Sequence, residues 1–193
     1  MSRQPQGPTV SNKHKTLSAV FRALDAHTSD DAARPAPLHH VRAYAVDAGH
    51  VRLEATDGHA LVRVDVPAGF FDDDDVPAPD GYYKGKAAAT LLSVGSAPIT
   101  NPDASPEWYW PRTDQVVPHE TMAPGAACAF NASLLSGVLD TIHKIGIAFG
   151  GSKLDPVRVQ FGQASVDPAR LSRTVYADAG PVVIVGVVMP MRL

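Results

Sequence analysis

Between Val41 and Val66 apolar and polar residues alternate in three short runs separated by turn signals. Val41, Ala43 and Ala45 fall on one strand face, Val51, Leu53 and Ala55 on the next, and Leu61 to Val66 alternate again. Asp47-Ala48-Gly49 and Asp57-Gly58 supply the turns between them. A period of two closed by tight turns dictates antiparallel neighbours, and an apolar sheet face has to be covered by another layer. The cover lies immediately upstream. Leu17, Val20, Phe21 and Leu24 recur at i, i+3, i+4 and i+7, one stripe of a helix that starts near Lys13. Ser11 or Asn12 is its expected cap, and the polar, proline-containing run from His27 to Pro37 its stop.

The same order recurs later. Ala127 to Phe130 reads as a short strand, Asn131 as an N-cap, and Leu134, Leu135, Val138, Leu139, Ile142 and Ile145 as a strong helical stripe. Glycines 146, 150 and 151 are expected to end that helix, and strands follow at Val157 to Phe161, Thr174 to Ala177 and Val182 to Met189. Between the two units, residues 67–124 are proline-rich and nearly aperiodic. They hold a short helix at Lys86 to Val94, the acidic run Asp72 to Asp75, and the cluster Trp108-Tyr109-Trp110, which has to pack or bind something. The fold class is therefore α+β with antiparallel sheets. A flexible arm at 1–12 precedes a single domain at 13–193, whose helix-plus-three-strand halves lie at about 13–100 and 125–193.

Several functional classes find little support. Hydrophobic residues make up 45% and charged ones 19% of the 193 residues, a globular balance. No apolar run approaches the ~20 residues of a membrane helix, and the first residues lack the apolar core of a secretory signal. The lone Cys128 permits no internal disulfide, so a cytoplasmic setting is the default. The eight histidines never show ligand spacing with acidic partners, and His119-Glu120 lacks a second histidine. Gly150-Gly151-Ser152-Lys153 lacks the spacing of a phosphate loop. No metal, cofactor or catalytic residue is expected. A hydrolase built on the Asp run and the histidines is the remote enzymatic alternative. Net charge is −3, but basic residues gather on the first helix, so a locally basic face can still meet phosphates.

Two stretches carry more. Ala55-Thr56-Asp57-Gly58-His59-Ala60-Leu61, preceded by Gly49-His50-Val51-Arg52-Leu53, and the closing Val187-Val188-Met189-Pro190-Met191-Arg192-Leu193 together resemble the bacterial sliding clamp, the DNA polymerase III β subunit family. Phe130-Asn131-Ala132-Ser133-Leu134-Leu135 is similar to a segment of that family's last domain, and Pro106 to Tyr109 more faintly to another. The resemblance implies a DNA-clamp fold. Family subunits carry three clamp domains and close rings of six, whereas this chain resembles one clamp domain assembled from parts of two.

It also implies a function without catalysis. In the family, the turn and the closing strand line an apolar pocket for extended peptides of polymerases and repair proteins. By position, Thr56, Gly58, His59 and Leu61 would form one wall and Val187, Met189, Pro190 and Met191 the other, with Trp110 as a possible further wall. Gly58 admits a close backbone and the methionines adapt to varied side chains. Ala60 stands where the family commonly has Arg, which removes a polar rim contact. Lys13, Lys15, Arg22, His143, Lys144 and Lys153 are the candidates for contacting double-stranded DNA without sequence readout. The implied role is a processivity factor that docks replication or repair proteins as a homo-oligomeric ring, away from membranes. The alternative is an adaptor or decoy that keeps the peptide pocket and does not encircle DNA.

Overall fold

The computed structural model describes residues 10–71, 81–94, 110–117, 130–160, 168–177 and 180–189. Helix α1 spans Val10–Asp25, and strands β1 Val41–Asp47, β2 His50–Thr56 and β3 Ala60–Pro67 follow it. Strand β4 is Gly81–Tyr83, helix α2 Gly85–Ser93 and the short helix α3 Thr113–Val116. The later unit comprises helix α4 Ala132–Ala148 and strands β5 Arg158–Gln160, β6 Ala169–Ala177 and β7 Gly180–Val188.

The strands form one antiparallel sheet in the order β4-β1-β2-β3-β7-β6-β5. The α+β class with antiparallel pairing is thus as expected, and the strands of both halves share a single sheet. The two halves are joined where β3 pairs with β7, from Ala60 opposite Val188 to Asp65 opposite Val183. Alternation then sorts the side chains. Val62, Val64 and Val66 of β3, with Ile184 and Val188 of β7, enter a core shared with Leu17, Phe21 and Leu24 of α1 and Val138, Ile142 and Ile145 of α4. Gly186 faces the same way and lets α4 lie close, since a Cβ there would sit 2.2 Å from Val138 Cγ1. On the opposite face Leu61, Val185 and Val187 form a second small cluster with Val117.

The element boundaries correct several details. α1 begins at Val10, so Ser11 and Asn12 lie inside the helix and neither caps it. Asn131 does cap α4, its side chain accepting hydrogen bonds from the Ser133 and Leu134 amides at 2.9 and 3.2 Å. Gly146 lies within α4; the helix ends just before Gly150, whose φ of +85° suits glycine. β6 starts at Ala169 rather than Thr174, and β4 was not anticipated. Residues 127–129, Asp72 to Asp75, His119 and Glu120 lie outside the described residues. Among the described residues no helix is long and apolar enough to cross a membrane, and no three potential metal ligands converge.

Candidate peptide-binding groove

The turn between β2 and β3 is built by its own side chains. Asp57 Oδ1 accepts hydrogen bonds from the His59 and Ala60 amides at 2.8 and 2.9 Å. Thr56 Oγ1 accepts from the Gly58 amide at 3.1 Å and donates to the Ala60 carbonyl at 2.7 Å. Gly58 takes φ +91°, a conformation glycine adopts without strain. The end of β7 is tied to this turn by the Met189 amide, which donates to the His59 carbonyl at 3.2 Å.

A groove of about 150 Å³ opens on the sheet face away from α1 and α4. Thr56, Gly58, His59, Ala60 and Leu61 form its first side, and Val187 and Met189 its second. Its third side is the segment Pro111-Arg112-Thr113 with Val116. The volume is below that of usual small-molecule sites and suits a few apolar side chains of an extended peptide.

Polar contacts seat the third side on the sheet. The Thr113 hydroxyl donates to Glu54 Oε2 at 3.0 Å, and Arg63 Nη1 lies 2.7 Å from Asp114 Oδ1. Arg52, bound to Asp65 at 2.6 Å, reaches Asp114 at 3.5 Å. Hydrogen bonding to Asp65 holds the Arg52 guanidinium well above its usual pKa. Glu54 is fully buried, and that burial raises its pKa against the opposing effects of the Thr113 hydrogen bond and Arg42, 3.6 Å away.

Six of the nine residues expected in the pocket thus come together: Thr56, Gly58, His59, Leu61, Val187 and Met189. Pro190 and Met191 lie outside the described residues, as do Trp108 and Tyr109. Trp110 does not line the groove. It is buried behind the third side, its ring 5.9 Å from that of Tyr82 and 5.8 Å from the Arg42 guanidinium. Sequence reasoning missed Pro111 to Thr113 and Val116, because a four-residue helix carries too little periodicity to read.

The basic candidates are less concentrated. Arg22 and Lys144 line one side-by-side channel between α1 and α4, floored by Ala23 and Thr141. Lys144 pairs with Asp140 at 2.6 Å on its own helix. Lys15 is exposed and Lys13 half-buried on α1, His143 is half-buried on α4, and Lys153 is exposed in the loop beyond it.

The fold, with helices α1 and α4 on one face of the sheet, recurs in known structures. A Pseudomonas aeruginosa DNA polymerase sliding clamp with ligand superimposes with a TM-score of 0.60 at 18% identity, over 98% of this chain and 69% of that one. The fold is that of a sliding clamp. The DNA polymerase sliding clamp of Bacillus subtilis gives a TM-score of 0.56 at 14% identity, over 93% of this chain and 63% of that one. The Caulobacter crescentus polymerase III β gives 0.56 at 14%, over 93% and 65%. The clamp-fold chain thus spans roughly two thirds of the length of these solved clamps. No family model and no curated protein matches the sequence.

Proposed function

We propose that this chain acts as a sliding-clamp-like processivity factor, a non-enzymatic cytoplasmic platform that docks replication or repair proteins by an extended peptide. The observation that carries the reading is the groove itself. The turn from Thr56 to Leu61 and the end of β7 converge on it, and the tied-down segment 111–116 closes it. Leu61, Val187 and Met189 offer apolar contact, while Thr56 and Thr113 are already hydrogen-bonded within the protein. A fluorescein-labelled peptide carrying Gln and spaced Leu and Phe residues should bind saturably in an anisotropy titration. Met189→Glu, which puts a charge on an already half-exposed side chain, should weaken it by an order of magnitude. Unchanged affinity in a variant that keeps the wild-type circular dichroism would sink the reading.

In this proposal DNA runs past the outer faces of α1 and α4, met by Lys15, Arg22 and Lys144, and six copies close a ring. A second reading is an adaptor that binds clamp-directed peptides without encircling DNA. One observation favours it: Lys144, on the face that would meet DNA, pairs with Asp140 at 2.6 Å. Light scattering separates the readings. A hexamer at micromolar concentration supports the ring, and a monomer supports the adaptor.

A further inference from the structure

Arg34 lies far from the groove in sequence but not in space. Its Nη2 sits 2.8 Å from His59 Nε2, so the guanidinium donates and the imidazole nitrogen accepts. Its Nη1 lies 3.4 Å from where a Cβ on Gly58 would stand, so the guanidinium covers the bare backbone of the turn. Both Gly58 and His59 line the groove.

The loop that carries Arg34 is tied at several points. The Ser29 amide donates to the Leu38 carbonyl at 2.7 Å, and the Arg34 amide donates to the Asp31 carbonyl at 2.9 Å. Asp31 Oδ1 accepts from the Ala33 amide, and His39 reaches the Arg34 carbonyl with Nε2 at 3.2 Å. The backbone under the guanidinium is therefore fixed before any partner arrives, which limits the ordering cost of a new contact.

Arg42, Arg52, Arg63 and Arg173 each pair with a carboxylate. Arg34 pairs with none among the described residues, and its side chain meets the His59 ring nitrogen instead. No carboxylate lines the groove among the described residues. A guanidinium beside an apolar floor complements an anionic group next to apolar anchors.

Resting on the docking role proposed above, we infer that Arg34 is a specificity-determining residue of the groove. It receives an acidic side chain on the flank of the docked peptide. A guanidinium presents two parallel N–H donors to a carboxylate, so one edge can stay on His59 while the other takes the ligand.

The test uses fluorescein-labelled decapeptides with a constant Gln-and-spaced-Leu/Phe core. A single Asp is walked across otherwise neutral flanks, and Asn stands at the same positions in the controls. At one position wild type should prefer Asp over Asn by about fivefold at low salt, and the preference should shrink as salt rises. Arg34→Gln should abolish that preference, so that the Asp and Asn peptides bind alike, and Arg34→Lys should retain part of it. A preference that survives Arg34→Gln, or no preference at any position, overturns the assignment while leaving the groove intact. If wild type binds no peptide saturably, the docking role falls and the role of Arg34 falls with it.

Discussion

Glu54 is the residue whose surroundings sit least easily with its charge. Its side chain is fully buried on the groove side of β2, with Oε2 accepting from Thr113 and Oε1 lacking a hydrogen bond. Burial raises its pKa above the ordinary 4.5. The folded protein then holds this proton more tightly than the unfolded chain does. As pH rises above 4.5 the unfolded chain ionises first, and stability falls until the raised pKa is passed. Glu54→Gln should remove that slope, so its melting temperature should gain on wild type across this window. Parallel curves would refute the assignment. His27, whose pKa burial lowers below 6.5, acts the other way, losing stability as pH falls through that range, and is common to both proteins. Gly186 makes a second residue-scale case. The 2.2 Å approach of Val138 Cγ1 means Gly186→Ala should cost about 1–3 kcal/mol in chemical denaturation. Adding Val138→Ala should return part of that loss if the clash is its cause.

At the scale of elements, the polar attachments of segment 110–117 to the sheet include a buried one at Thr113 and an exposed one at Asp114, and these two should differ in strength. Thr113→Val leaves a buried carboxylate oxygen unpartnered and should cost about 1–3 kcal/mol. Asp114→Asn weakens pairs to a carboxylate that is 66% exposed, and should cost below about 1 kcal/mol. Urea melts of the two variants rank them, and the reverse order would be incompatible with the proposed anchoring. The same segment marks where the sequence stops being readable. The β2–β3 turn is legible because Thr56, Asp57 and Gly58 write their own hydrogen bonds, and β7 because its apolar run is long. Asn131 announces α4. Segment 110–117 has neither a period nor a turn code, and it takes its place from contacts with Glu54, Arg63 and Tyr82, which sequence spacing does not encode. Arg34 is hidden for the same reason: its partner is 25 positions away and no local pattern joins them. Trp110 was recognisable as a residue that must pack, but not as one that packs behind the groove rather than in it.

Across the whole molecule, the β3–β7 seam makes the two halves one sheet, and α1 and α4 contact each other over it. Fragments covering 1–100 and 101–193 should each lack cooperative melting, and mixing them should restore it. Independent melting of either fragment would show that the seam is dispensable. The seam also sets the order of events in folding. β3 meets its partner only after roughly a hundred further residues have been laid down, and closing so long a loop is entropically slow. Until then the three-stranded meander of the first half carries a free, valine-rich edge. A nascent chain in that condition is open to edge-to-edge capture by its neighbours, so its yield should depend on how fast the last strand is delivered.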